Sequence, residues 1–126
     1  MEAIVDTSVL LGPEPSVRTQ PPDDVAISAV TLAELWLGAL LADALDERAA
    51  RLALLSEVQR RFEALPVDDA VARGYGELIA AARRRGVRPR PFDALIAATA
   101  MIRNVPVFTR DRDFARIPGV KVILVK

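Results

Sequence analysis

Apolar positions along this chain follow two rhythms. Ala3-Ile4-Val5, Val25-Ala26-Ile27, Val105 to Phe108 and Val120 to Val125 are short apolar runs of the length expected for buried strands. Between them, apolar residues recur every three to four positions, the spacing of one helix face. Thr7 to Leu11 opens a helix that Gly12, Pro13 and Pro15 cut short, and residues 12–24, with four prolines, read as a surface loop. A helix is expected from Thr31 to about Ala42, started by a capping box in which Glu34 follows Thr31 by three positions. A longer helix is expected from Asp46 to about Ala64, with Leu45, Ala49, Leu52, Leu55, Phe62 and Leu65 as its apolar stripe. Pro66 ends it, and Val67 is a brief strand. Asp68 or Asp69 then caps a helix that stops at Gly86, and an Ala-rich helix runs from Phe92 to about Arg103. Strands alternating with helices predict an α/β layer fold with a parallel sheet. The length of 126 residues fits a single domain over 1–126.

Composition narrows the chemistry. Hydrophobic residues make up 52% of the chain, enough for a real core, whereas aromatics are only 5%, so that core is expected to be largely aliphatic and helical. The chain has no Cys and no His, which excludes disulfides, thiolate zinc sites, cysteine nucleophiles and imidazole acid–base catalysis. Any metal must be held by oxygen, which suits Mg²⁺ or Mn²⁺. No apolar stretch reaches the roughly 20 residues that span a bilayer. Residues 1–6 lack a basic leader, so cytoplasmic residence is expected. Seventeen basic and seventeen acidic side chains cancel. The distribution is uneven, with Arg83, Arg84, Arg85, Arg88 and Arg90 within eight positions, a local patch able to bind phosphates.

The acids are spaced so that one sheet edge can gather them. Ligands of open α/β sheets bind at the carboxyl ends of the strands. Asp6 follows the first strand directly, and Asp111 and Asp113 follow the strand ending at Phe108. Glu34 and Asp93 lie near helix starts. Each acid also has an ordinary structural reading: a turn cap for Asp6, the capping box for Glu34, the helix dipole for Asp93 and an Asx-turn for Asp111. Convergence would be different, because clustered carboxylates repel unless a cation joins them.

Four blocks of residues resemble those of the PIN-domain family. They are Ile4 to Leu11, Ser28 to Gly38 with Thr31, Glu34 and Leu35, Asp93 to Ala100, and Val107 to Phe114, and they occur in family order. The size of the chain is similar to that of VapC-type toxins of VapBC toxin–antitoxin pairs. The resemblance implies a PIN-like three-layer fold, a central parallel sheet flanked by helices. It implies an endoribonuclease dependent on Mg²⁺ or Mn²⁺, with Asp6, Glu34, Asp93 and Asp111 as the acidic tetrad and Asp113 as an extra acid. It also implies a homodimer and a cognate VapB-type antitoxin that blocks the site. The Pro-rich segment 12–24 departs from the pattern, since the family has a fuller helical element there.

On this reading, Asp6 and Asp93 are the principal metal ligands, completed by Glu34 and Asp111. Thr7, Ser8 and Thr109 either orient a ligand or serve plain turn chemistry. Arg84, Arg85 and Arg88 either track the RNA backbone or form a solvated helix end. Trp36 either stacks on a base or packs in the core or against a partner. Leu37, Leu40 and Leu41, with Leu54 and Val58 on the next helix, are expected to form a groove for an antitoxin helix. That helix would bring an Arg to Glu34 or Asp111. Two alternatives remain at this point. One is a phosphoryl-transfer enzyme with Asp6 as nucleophile, although position 8 is Ser and the only lysines are Lys121 and Lys126. The other is a non-catalytic RNA-binding or interaction module.

Overall fold

The computed structural model describes residues 1–126. The chain runs β1 (Ala3–Val5), α1 (Thr7–Leu11), a 3-10 turn at Val17–Thr19, β2 (Val25–Ser28), α2 (Ala29–Leu41), α3 (Leu45–Arg61) and β3 (Ala64–Leu65). It continues through α4 (Asp69–Arg84), α5 (Pro91–Arg103), β4 (Val107–Thr109), a 3-10 turn at Arg112–Arg116 and β5 (Val122–Leu124). The five strands form a parallel sheet in the order β3-β2-β1-β4-β5. The chain builds outward from β1 to β2 and β3, then returns to the other side of β1 for β4. The switch point therefore lies between β1 and β4, where Ile4 pairs with Val107 and Val5 with Phe108.

Strand parity divides the core into two. Ile4, Ala26, Leu65 and Val107 face one side with Leu78 of α4 and Ala94, Ile96, Ala97 and Ala100 of α5. Ala3, Val5, Ile27 and Phe108 face the other with Leu35 of α2 and Leu55 and Val58 of α3. Successive strand residues point to opposite faces, so a sheet covered on both sides needs unbroken apolar runs. This is the three-layer arrangement. The alanines of α5 let it lie close under the sheet, and α4 packs tightly on α5 in turn. A Cβ at Gly74 would stand 3.2 Å from the side chains of Met101 and Ile102. No helix is long and apolar enough to cross a membrane.

Several boundaries differ from the sequence expectation. Ser28, not Thr31, is the N-cap of α2, its hydroxyl accepting from Val30 N at 3.0 Å. Thr31 is buried inside the helix with no partner for its hydroxyl, so no capping box forms and Glu34 is free for other use. The third strand is Ala64–Leu65, because α3 ends at Arg61, and Val67 is exposed. The inward face of α3 carries Leu55 and Val58, with Leu54 partly buried, whereas Leu45 and Leu52 point outward. Val58 is thus a core residue, whereas Leu54 lines a cavity of about 300 Å³ between α2 and α3 together with Glu34, Leu35, Gly38 and Arg51. Asp68 caps α4 through Val71 N, and Pro91 starts α5 at its first position, where a missing N–H costs nothing. Segment 12–24 contains only the single 3-10 turn, held to the end of the sheet where Lys126 N donates to Thr19 Oγ1 at 3.0 Å.

Candidate active site

Strand β1 ends in a carboxylate that local structure does not use. Asp6 occupies the N-cap position of α1, yet its side chain makes no cap bond. It is 5% exposed. Ser8 Oγ donates to its Oδ1 at 2.6 Å, and Thr109 Oγ1, from the end of β4, donates to its Oδ2 at 3.0 Å. Both hydroxyls are tied down in turn, since Arg110 N donates to Ser8 Oγ and Asp111 N to Thr109 Oγ1. The Ser8 and Thr109 hydroxyls therefore fix Asp6 across the β1–β4 switch point. Burial pushes its carboxyl above the usual range, the two hydroxyls pull it back, and the charge of Asp93 adds to the rise.

Asp93 faces this group from the first turn of α5. It is 8% exposed, and burial raises its pKa. Arg90 opposes that rise, while Asp111 and Asp113 add to it. Arg90 Nε lies 2.8 Å and Nη2 2.7 Å from Asp93 Oδ2, and the same Nη2 lies 2.8 Å from Asp111 Oδ2. The other oxygen of Asp111 accepts from Asp113 N at 2.9 Å, the Asx-turn expected from its spacing. Glu34, half-buried on α2, accepts from Thr7 Oγ1 at 2.7 Å. Asp113 is exposed and lines a small cavity with Asp93, Arg88, Arg90 and Arg116.

The fold thus brings Asp6, Glu34, Asp93, Asp111 and Asp113 to one edge of the sheet, with Thr7, Ser8 and Thr109 holding Asp6 and Glu34. In this geometry no three of the acids stand close enough to share one ion. The donor set still fits a hard divalent cation: two buried carboxylates repel each other across an all-oxygen site, and one guanidinium is the only basic side chain bonded to the acids. Of the arginine cluster, Arg88 reaches the cavity beside Asp93, whereas Arg84 and Arg85 end α4 in the open without lining it. Trp36 is not a core residue, at 42% exposed.

In the sequence Arg90 reads only as part of the phosphate-binding basic cluster, not as a partner of the acids. The signal was present, because Arg90 and Asp93 have the i,i+3 spacing of side chains that meet on a helix. Its second partner, Asp111, becomes visible only once α5 and β4 are placed.

The PIN domain model matches residues 3–120. The chain belongs to the PIN domain family. Ribonuclease VapC5 of Mycobacterium tuberculosis is 44% identical over 119 residues, covering 92% of this chain and 87% of that protein. Ribonuclease VapC4 of the same organism is 37% identical over 127 residues, covering 98% and 96%. The crystal structure of VapBC-5 from M. tuberculosis, a member of the VapBC family of toxin–antitoxin systems, superposes with a TM-score of 0.90 at 43% identity. That match covers 99% of this chain and 100% of that one. This PIN domain therefore shares its fold over its whole length with a protein of a toxin–antitoxin system.

Proposed function

We propose that this chain is the toxin of a type II toxin–antitoxin pair and a divalent-metal-dependent endoribonuclease. The observation that carries the reading is the pair of buried carboxylates, Asp6 and Asp93, facing each other at the switch point of a PIN domain 44% identical to a ribonuclease. Burying two acids side by side costs stability, and a cation-binding role explains why they are there.

Asp6 and Asp93 would hold Mg²⁺ or Mn²⁺, with Glu34 and Asp111 completing the set and Asp113 at its rim. When bound, such a cation supplies the positive charge that makes water a competent nucleophile and stabilises the departing 3′ oxygen. The chain's own residues do the rest. Ser8 and Thr109 orient Asp6, and Thr7 orients Glu34, so that neither carboxylate must be ordered when substrate arrives. Arg88, with Arg84 and Arg85 further along the surface, offers positive charge to the RNA backbone. With a metal-activated water as the attacking group, the products would carry 5′-phosphate and 3′-hydroxyl ends.

The partner face is α2. Leu37 is 55% and Leu41 69% exposed, and Trp36 and Leu40 lie open beside them. This apolar strip suits a VapB-type antitoxin, and the similar solved structure comes from a VapBC system. A homodimer completes the assembly. The test is incubation with mixed cellular RNA in Mn²⁺ or EDTA, followed by mapping of the ends. Cleavage in Mn²⁺ alone with 5′-phosphate products supports the reading, and cleavage in EDTA or cyclic phosphate ends would overturn it.

A further inference from the structure

The expected partner arginine has a counterpart within this chain. Arg90 approaches Oδ2 of both Asp93 and Asp111 closely, at 2.7 to 2.8 Å. No other basic side chain bonds to the site's acids. A purely helical role does not account for this. The Asp93 pair alone would be an ordinary i,i+3 ion pair, but Asp111 belongs to a different element, beyond the end of β4. A carboxylate at a helix N-terminus is also favoured by the dipole without help.

The mount is rigid and the head is free. Arg90 lies between Pro89 and Pro91, with φ −63° and ψ 140°. Pro91 biases Arg90 to this extended backbone and Pro89 fixes φ just before it, which leaves side-chain rotation as the main freedom of the guanidinium. That side chain is 70% exposed. Next to it is a cavity of about 110 Å³ lined in part by Arg88, Asp113 and Arg116, which gives the head somewhere to go.

We infer that Arg90 is a resident counter-cation that holds Asp93 and Asp111 in the metal-free protein and must be displaced by the incoming divalent ion, so that it sets the metal affinity of the site. The inference rests on the reading of these acids as the cation site. The competition is direct, because the guanidinium occupies Oδ2 of both Asp93 and Asp111, and the other oxygen of Asp111 is already taken by Asp113 N, so Asp111 has no unbonded oxygen to offer an ion while Arg90 stays. One positive charge cannot fully neutralise the group, whereas a divalent ion brings two. The exchange therefore runs toward the metal, at a reduced affinity. The site is kept ordered and partly neutralised without an ion, at the expense of tightness with one.

The test is Mn²⁺ titration by calorimetry of the whole chain without RNA, comparing wild type with Arg90→Ala, Arg90→Gln, Arg88→Ala and Asp93→Asn. Both Arg90 variants should bind Mn²⁺ about two- to fivefold more tightly, the upper part of the range for a mostly exposed ion pair. Arg88→Ala removes the same charge nearby without touching an acid, and should change affinity much less. Equal tightening by Arg88→Ala would reduce the effect to the general field and overturn the proposal, as would unchanged or weaker binding by both Arg90 variants. Asp93→Asn separates the two levels. If it binds Mn²⁺ like wild type, or if wild type binds none, the metal-site reading itself falls. If it loses binding while the Arg90 variants match wild type, only the counter-cation falls.

Discussion

Asp6 is a carboxylate buried at the end of a strand with two hydroxyl donors and no cation bonded to it. Burial raises its pKa, and so the folded chain holds a proton that the unfolded chain has already released in that window. The contribution of Asp6 to the stability of the metal-free protein therefore falls as pH rises from the ordinary carboxylate range through the raised one. Asp6→Asn removes this penalty. Its melting temperature in EDTA at neutral pH should exceed that of wild type, with the gain shrinking as pH falls below the ordinary carboxylate range. Thermal unfolding of both proteins from acid to neutral pH checks this, and a lower melting point for Asp6→Asn at neutral pH would contradict it. Added Mn²⁺ should raise the melting point of wild type and do much less for the variant, since binding to the native state alone shifts unfolding.

At the scale of elements, the start of α2 decides what Glu34 can do. Ser28 caps the helix and Thr31 is packed inside it, so Glu34 turns to Thr7 and not back to its own helix start. Ser28→Ala should cost about 1 kcal/mol, the usual worth of a hydroxyl N-cap. Thr31→Val keeps the shape and removes an unpartnered buried hydroxyl, so it should be neutral or stabilising by up to about 1 kcal/mol. Urea unfolding distinguishes them, and the opposite order would restore Thr31 as the cap. The sequence favours Thr31, which has an acid three residues on, whereas Ser28 has none there, and the structure caps the helix with Ser28 nonetheless. The same holds for α3. Leu45 and Leu52 on one side, and Leu55 and Val58 on the other, are both at helical spacing, and tertiary packing decides that the second pair is inside. By contrast the ends of α4 were legible to within a residue or two, because Asp68 or Asp69 offers a cap and Gly86 a stop, and the structure chooses Asp68.

For the whole molecule, strand order makes the site. The acids of β1 and β4 meet because those strands are neighbours, and they are neighbours because the chain reverses direction there. The sequence placed the acids at strand ends and helix starts, but it could not show that Arg90 would bridge two of them, since that depends on how α5 sits against β4. The outer surface carries two further expectations. Replacing Arg84, Arg85 and Arg88 with Ala should lower the slope of log K against log salt for single-stranded RNA by roughly 0.7 for each phosphate that is no longer neutralised. An unchanged slope would make the cluster a solvated helix end. Leu37→Glu with Leu41→Glu should weaken antitoxin capture by at least about tenfold while leaving RNA cleavage intact, because both side chains are exposed and point away from the core. Unchanged capture would place the partner on another face.

Under the proposed function, Asp93 works as a cation ligand in RNA hydrolysis and not as a helix-terminal charge. The direct measurement is the single-turnover rate of RNA cleavage in Mn²⁺ by Asp93→Asn against wild type, with folding verified by circular dichroism. Losing even an outer partner of a metal site costs about ten- to a hundredfold, so losing a ligand should cost about a hundredfold or more. A folded Asp93→Asn protein that cleaves RNA at the wild-type rate would contradict the claim.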